Sequence, residues 1–354
     1  MRYSIFGESH GPAIGVVLEG VPSGLALDMD FIAGELARRA PGRSTVSTER
    51  KEKDIPEILS GVFEGRTTGT PLCAVIRNTD CHSGDYEATR HLARPGHGDY
   101  SGHVRYKGFN DYRGGGHFSG RLTAPLVFAG AVAKLILAQK GIYIGAHIRS
   151  VGTVSELSFV DIMPDLEMLA QCAKQPFPAL EKGEEMQAEI LSAKAEGDSI
   201  GGTIECAILG LSAGLGQPDL DGNLEGILAR HIFAVPAVKG LEFGVGFDCA
   251  RMWGSEYNDR FYMDGDQVRT HTNHAGGING GITNGMPVIF TVAMRPTPSI
   301  AKAQGTIDMA RREDAVLELK GRHDPCVVHR AVPVIEAAAA LAVCELLEGV
   351  SGLD

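Results

Sequence analysis

The sequence predicts an α+β fold, because short apolar runs typical of strands alternate with longer alanine-rich runs that have the period of helices. Gly and Pro residues separate these runs, and the 46 glycines among 354 residues suit a chain with many turns. We expect strands over 13–18, 71–76, 203–209 and 287–293, and helices over 123–139, 181–196 and 331–347.

The chain contains a diverged internal duplication. Residues 7–25 align without gaps on residues 197–215, and a helix that contains Leu-Ala-Arg follows each copy. Residues 61–71 align in the same way on residues 277–287. Because the matches keep the same order along the chain, they indicate one structural unit that occurs twice.

The two alanine-rich helices continue this correspondence, since one follows Arg121 and the other follows Arg330. We therefore predict that the whole chain is a single domain with two pseudo-repeat halves, about 1–150 and 190–354. The segment 155–195 then connects the halves.

Composition and charge exclude several classes of protein. The net charge of −11 argues against nucleic acid or an anionic membrane as a partner. No run approaches the roughly 18 uninterrupted apolar residues of a membrane span, and the N-terminal sequence lacks the apolar region of a signal peptide. The seven cysteines are scattered without a Cys-x-x-Cys pair, so we expect reduced thiols in a cytoplasmic protein.

Positive charge is nevertheless concentrated in one segment. Residues 90–121 contain six Lys or Arg residues and four histidines, against only Asp99 and Asp111. In an acidic protein, such a segment indicates either a binding site for a small anion or a solvated charged loop.

Two histidines lie in glycine-flanked loops, at 7–12 and 94–100. A near-neutral imidazole held on tight backbone is suited to proton transfer. The duplicate carries Ile200 where the first half carries His10, which favours a chemical role for His10 over a role in folding. His97 lies between Arg94, which offers a bidentate contact to an anion, and Asp99.

Three further segments favour phosphate chemistry over metal chemistry. His97, His103 and His117 do not have a recognised metal-ligand spacing, so we predict no metal site. The glycine-rich run 114–121 precedes a predicted helix, where backbone N–H groups can meet a phosphate. Segments 295–299 and 321–326 add cations, hydroxyls and a carboxylate. Together these residues predict acid–base chemistry on a phosphorylated substrate.

Five segments closely resemble the signature stretches of the chorismate synthase family. They are 7–12, 94–100, 273–281, 295–299 and 321–326, and they follow the family's order between about residues 5 and 345. The resemblance implies a β-α-β sandwich with an internal pseudo-twofold duplication, in which antiparallel sheets pack on helices. It also implies assembly as a homotetramer.

The resemblance names a reaction. Chorismate synthases catalyse the 1,4-anti elimination of phosphate from 5-enolpyruvylshikimate 3-phosphate, which gives chorismate in the shikimate pathway of aromatic amino acid biosynthesis. They require reduced FMN although no net redox change occurs. The chain is therefore expected to be a carbon–oxygen lyase with reduced FMN as its cofactor. We expect no additional domain that would reduce the flavin with NADPH.

The resemblance also implies residue roles. His10 would protonate the departing phosphate, His97 would keep the reduced flavin correctly protonated, and Ser9 with Asp324 would relay a proton. The implied cofactor-binding residues are His117, Phe118, Ser119, Pro236, Ala237, Gly280, Arg295, Pro296, Thr297, Pro298, Ser299 and Arg322. The implied substrate-binding residues are Arg39, Arg43, Thr45, Arg94 and Arg121.

The chain departs from the family pattern at three places. His117 and Phe118 stand where the family commonly has Arg-Ser, and Pro236 stands where it usually has Asn. Thr45 replaces a usual arginine, which leaves Arg43 as a substitute. We expect these changes to alter flavin and substrate affinity more than the identity of the reaction.

Two other functions remain open at this point. A metal-dependent hydrolase would use His97, His117 and His323 with a divalent ion, and metal analysis would identify it. A degenerate homologue would bind flavin without turnover.

Overall fold

The predicted apolar runs form strands that pair in two antiparallel sheets. The computed structural model describes residues 1–42, 46, 54–79, 87, 89–319 and 324–349. The four predicted strands are present, and their bounds differ from the prediction by at most one residue. The strands are β1 (Arg2–Gly7), β2 (Ala13–Glu19), β3 (Pro56–Ser60), β4 (Val62–Phe63), β5 (Arg66–Thr67), β6 (Leu72–Arg77), β7 (Tyr143–Val151), β8 (Val154–Ser155), β9 (Gly202–Leu209), β10 (Val238–Phe243), β11 (Phe261–Asp264), β12 (Gln267–Thr270), β13 (Ile278–Asn279), β14 (Ile282–Thr283), β15 (Val288–Met294), β16 (Gln304–Asp308) and β17 (Glu313–Leu317).

The alanine-rich runs form the two longest helices. The second of these begins at Val328, earlier than predicted, because Val328 already packs in the core. The helices are α1 (Met29–Arg39), α2 (Asp99–Arg105), α3 (Thr123–Ala138), α4 (Phe159–Ile162), α5 (Leu166–Lys174), α6 (Gly183–Ala195), α7 (Leu224–Phe233), α8 (Gly254–Tyr257) and α9 (Val328–Glu348). Short 3-10 turns cover Gly120–Leu122 and Gly246–Arg251, and a turn interrupted by three non-helical glycines covers Arg113–Phe118.

The sheets enclose a middle layer of helices. One sheet has the strand order β1-β2-β6-β3, and the other has the order β10-β15-β9-β7-β8. Helix α3 packs on β2 and β6 of the first sheet, α9 packs on β7 and β9 of the second, and α3 packs on α9. This arrangement is a sheet–helix–sheet sandwich, and it confirms the predicted α+β class and β-α-β layering.

The two sheets have matching strand orders. The order β1-β2-β6-β3 matches β7-β9-β15-β10, and the short hairpins β4–β5 and β13–β14 occupy equivalent places in the chain. In the first half the hydroxyl of Thr67 accepts from Leu25 N and donates to a carbonyl, and Thr283 does the same with Leu215 N in the second half. We propose on this basis that the halves are copies of one unit.

One strand joins a sheet that its sequence position does not indicate. Strand β7 ends the predicted first half, but it pairs antiparallel with β9 in the second sheet. Helices α4, α5 and α6 lie between β7 and β9 in the chain, so the predicted connection is a helical insertion between two paired strands.

Helices α3 and α9 cross at a very short distance. Gly130 lies opposite Ala337, and a methyl group built on Gly130 would lie 2.2 Å from Cβ of Ala337 and 2.4 Å from its Cα. Only a residue without a side chain fits at such a crossing.

A buried network of four charges joins the helices of the middle layer. Glu336 of α9 accepts from Arg38 of α1 at 2.6 Å and from Lys134 of α3 at 2.6 Å, and both cations also pair with Glu35. Glu336 further accepts from the backbone N–H of Ala146 at 3.0 Å, which ties β7 to the network. Burial alone would raise the pKa of Glu35, but Lys134 and Arg38 lower it to about 2.

The core placement of α3 accounts for its apolar sequence. The segment Gly120–Ala138 is long and apolar enough to cross a membrane by length and composition, yet 78% of it is buried inside the protein.

The described cysteines, which are all except Cys81, are free thiols.

Replacing Glu336 with Gln should strongly destabilise the fold. The change leaves two buried cations with only Glu35 between them, and removing one partner from a buried ionic network costs about 3–5 kcal/mol. Urea denaturation would measure the free energy of unfolding. The matched control is Glu57→Gln, which breaks an ion pair with Arg77 whose side chains are 47% and 57% exposed, and it should cost less than about 1 kcal/mol. Equal losses in the two variants would contradict the proposed importance of the network.

Candidate functional site

One cavity brings together most of the residues predicted from the sequence. Its volume is about 260 Å³, and residues from both halves of the chain line it. The predicted residues in its lining are Arg39, Arg94, His97, Phe118, Ser119, Arg121, Pro236, Ala237, Arg295, Thr297, Pro298, Ser299 and Asp324.

Ser9 and His10 lie directly behind this lining. They contact Gly114, which lines the cavity: a methyl group built on Gly114 would lie 2.3 Å from Cδ2 of His10 and 3.0 Å from Oγ of Ser9. Their loop is fixed by Asn78, whose side-chain amide donates to the carbonyls of Glu8 and Gly11 at 3.0 and 2.9 Å. The His10 ring therefore lies beside a glycine of the cavity lining.

The remaining predicted residues fall outside the lining. His117 is not a lining residue, and its Nδ1 lies 3.0 Å from the carbonyl oxygen of Gly7. Pro296 and Gly280 are not among the lining residues, and Gly280 forms the turn between β13 and β14. The predicted Arg43, Thr45, Arg322 and His323 lie outside the described residues.

His97 is oriented by a charged partner. Its Nδ1 lies 2.7 Å from Oδ1 of Asp99, and Arg94 donates to the same carboxylate through Nε at 2.7 Å and Nη2 at 2.8 Å. Burial alone would raise the pKa of Asp99, but the hydrogen bonds from His97 and Arg94 hold that pKa well below its ordinary value. Asp99 is then an ionised acceptor, which assigns the Nδ1 proton to His97 and leaves its Nε2 to exchange a proton elsewhere.

A turn of three glycines separates the two histidines. Gly114, Gly115 and Gly116 all have positive φ, at 59°, 86° and 54°, a backbone that residues with side chains rarely adopt. A methyl group on Gly115 would lie 3.1 Å from both Cε1 and Nε2 of His97. The turn therefore packs against His10 at one glycine and against His97 at the next, which explains the glycine run in the sequence.

Two arginines of the first half share one carboxylate. Asp54 accepts from Nε of Arg39 at 2.9 Å and also from Arg121, and all three side chains are buried. Burial lowers the pKa of Arg39 to about 10 despite the charge of Asp54, so the guanidinium remains charged at neutral pH. No sequence motif indicates Asp54, because this carboxylate lies 15 and 67 residues from the two arginines along the chain.

A further arginine at the cavity was missed by the sequence analysis as a site residue. Arg330 lines the cavity, forms an ion pair with Asp324 and donates from Nε to the carbonyl of Arg39 at 3.0 Å. The predicted duplication could have identified Arg330, because Arg330 and the predicted site residue Arg121 both precede an alanine-rich helix. Aligned repeats place both side chains at the same cavity.

The second half supplies a loop in which Arg295 donates to the carbonyl of Pro296 at 2.9 Å. Among the described residues, Arg295 forms no ion pair, and the buried Oγ1 of Thr297 has no hydrogen-bond partner. Arg94 reaches Ser299 Oγ at 3.5 Å. Ala237 has a φ of 73°, a strained value for a residue with a side chain, and its carbonyl accepts from Arg295 N at 3.0 Å. The loop thus presents a cation and a hydroxyl to the cavity.

Metal chemistry gains no support from side-chain placement. Within the part of the chain that the structure describes, no three His, Cys, Asp or Glu side chains are grouped so that they could hold a metal ion. His97 and His117 bond instead to Asp99 and to the backbone of Gly7.

Comparisons with known proteins agree on one family. The family model for chorismate synthase matches residues 1–347. A chorismate synthase from Dehalococcoides mccartyi is 46% identical over 96% of this chain and 93% of its own length, and one from Thermococcus kodakarensis is 43% identical over 98% and 96%.

A solved structure gives the same result. A crystal structure of a chorismate synthase superposes with a TM-score of 0.77 at 32% sequence identity, and the match covers 99% of this chain and 92% of that one. Family model, relatives and solved structure all extend over nearly the full chain. The chain therefore belongs to the chorismate synthase family and is a lyase that acts on a small molecule.

Proposed function

We propose that the chain converts 5-enolpyruvylshikimate 3-phosphate to chorismate by 1,4-anti elimination of phosphate, with reduced FMN and without net redox change. The observation that carries the proposal is a cavity where His97 and guanidinium groups from both halves converge. A substrate with a phosphate and carboxylates matches these cations. When bound, reduced flavin would lend electron density to the allylic system as phosphate leaves.

The residues present fit a flavin mononucleotide. The orphaned Thr297 hydroxyl and the Arg295 guanidinium, which has no described carboxylate partner, suit a phosphorylated and hydrogen-bonding cofactor. Ser119, Pro236, Ala237, Pro298 and Ser299 line the same cavity. Cofactor roles for His117, Gly280 and Pro296, which do not line it, stay predictions from the resemblance.

Proton control falls to the two histidines. His10 delivers a proton to the leaving phosphate, and its ring lies beside Gly114, a residue of the cavity lining. His97 holds a proton at Nδ1 through Asp99, so its Nε2 would be the atom that exchanges a proton with a flavin held in the cavity. Ser9 and Asp324 relay the proton that the substrate loses.

The arginines orient the substrate. Arg39 and Arg121 are held by Asp54, and Arg94 is held by Asp99, so these cations are in place before the substrate arrives. Preorganised charges lose little entropy on binding and place the phosphate for departure. Arg330 belongs to this group because it lines the cavity beside Asp324.

The remaining proposals concern assembly and location. A homotetramer is supported by large apolar side chains that are exposed on this chain, among them Trp253 at 77%, Phe247 at 82% and Met263 at 64%. Scattered free thiols support a cytoplasmic location.

An anaerobic assay with reduced FMN tests the function directly. We expect one phosphate released for each chorismate formed, with no accumulation of oxidised FMN, because the flavin is not consumed. His97→Ala should lower the turnover rate by about 10- to 1000-fold, the usual contribution of a positioned proton donor. The control is His271→Ala, an exposed histidine that does not line the cavity.

Two results would refute the proposed function. One is stoichiometric flavin oxidation during turnover. The other is activity that persists without flavin and disappears when a metal chelator is added, which would restore the hydrolase alternative.

Replacing Arg330 with Ala should weaken substrate binding by about 2–5 kcal/mol. The change removes a cation from the cavity and leaves the carboxylate of Asp324 without its ion-pair partner. Isothermal titration with 5-enolpyruvylshikimate 3-phosphate measures the effect. Arg230→Ala is the matched control, because Arg230 is also ion-paired but is 61% exposed and does not line the cavity. Unchanged affinity together with lower stability would assign Arg330 a purely structural role.

A further inference from the structure

The ring of Phe118 covers one face of the short helix α2. The face consists of Gly98, Gly102 and Tyr106, which are spaced by four residues and therefore lie in one row. A methyl group built on Gly102 would lie 2.4 Å from Cε2 of Phe118 and 2.8 Å from Cζ, and one on Gly98 would lie 3.1 Å from Cγ. The rings of Tyr106 and Phe118 have centroids 6.3 Å apart. Phe118 thus spans the helix from its N-cap to its C-cap.

Beyond Asp99, which accepts from Arg94 and His97, the Phe118 contact is the main packing of helix α2. The helix has seven residues, its N-cap residue is a glycine that makes no side-chain capping bond, and Gly102 is its one buried residue. An isolated helix of this length is unstable in water, so its position depends on packing. Because the buried residue is the one beneath the Phe118 ring, we infer that this contact fixes where α2 lies.

The position of α2 determines the position of Asp99. Asp99 is the first residue of α2, and its carboxylate accepts from Arg94 and from Nδ1 of His97. A shift of α2 would therefore move the group that orients the His97 ring. On its other side, His97 contacts the backbone of Gly115, three residues before Phe118. The segment 114–118 thus reaches His97 twice, once directly and once through α2.

We propose that Phe118 is a positioning residue, which holds the His97 imidazole in its catalytic orientation through α2 and Asp99. Its side chain carries no polar atom and cannot itself transfer a proton. The consequence for turnover rests on the proposed function, whereas the consequence for the His97 hydrogen bond does not. Phe118 also lines the cavity, so the competing interpretation is that it serves only as a contact for the cofactor.

The first test replaces Phe118 with Ser. In proton NMR of the full-length protein, the Nδ1 proton of His97, shifted downfield by its bond to Asp99, should be lost or broadened. Turnover should fall by about 10- to 100-fold, because a displacement near 1 Å can cost 100-fold, while the dissociation constant for FMN changes by less than about threefold. Phe118→Leu, which keeps the atoms that contact Gly98 but lacks the ring atoms nearest Gly102, should lose less of the signal and the rate than Phe118→Ser. Phe109→Ser is the control, since Phe109 is 92% exposed.

The second test adds a methyl group at Gly102 instead of placing a polar residue at Phe118. Gly102→Ala places a methyl group against Cε2 and Cζ of the ring and should disturb the His97 signal as well. Leucine has no atoms at those two positions, so Gly102→Ala combined with Phe118→Leu should be less impaired than Gly102→Ala alone. Suppression of this kind requires the two residues to act on His97 through their mutual contact.

Three results would overturn the proposal. One is that Phe118→Ser weakens FMN binding while the His97 signal and the turnover rate are unchanged, which would make Phe118 a cofactor contact. Another is that the effects of Gly102→Ala and Phe118→Leu simply add. The third is a His97 signal unchanged in Gly102→Ala. If the unmodified protein releases no phosphate, the proposed function fails, but the NMR results still decide the role of Phe118.

Discussion

The carboxylate of Glu336 connects the core of the protein to its site. It joins α1 through Arg38, α3 through Lys134 and β7 through a backbone N–H, so one group links three parts of the sandwich. Arg38 points into this network, while its neighbour Arg39 points into the cavity and bonds to Asp54. Helix α9, which carries Glu336, also carries Arg330, which bonds to the backbone of Arg39. The same helices that close the core therefore place the cations of the site.

Each carboxylate at the site has the role of holding an arginine in place. Asp54 holds Arg39 and Arg121, Asp99 holds Arg94, and Asp324 holds Arg330. A group of bare guanidiniums in a cavity would repel one another and extend into solvent, whereas paired ones keep a fixed geometry. This pairing also explains how an acidic chain can present a cationic pocket. The arginine side chains are gathered at the cavity, and the excess of negative charge lies elsewhere on the protein.

Sequence patterns revealed the local features and missed the long-range ones. The runs at 13–18 and 203–209 were recognisable as strands because alternation and β-branched residues act locally, and the equivalent glycines predicted two pseudo-repeat halves. Nothing in the sequence placed β7 in the second sheet, since strand pairing depends on residues far apart in the chain. Asp54 was invisible for the same reason. Only the family resemblance indicated Phe118 as a site residue. Its contact with Gly102 could not be predicted, because the two segments meet only in the folded chain.

The close crossing of Gly130 and Ala337 limits how the molecule can move. Where two backbones touch without intervening side chains, there is no flexible layer to absorb sliding, so shear between α3 and α9 is blocked. The helices that meet there belong to different halves and pack on different sheets. The cavity is lined by Thr123 of α3 and by Arg330 and Val334 of α9. Sliding of α3 against α9 is therefore not a motion that can widen it.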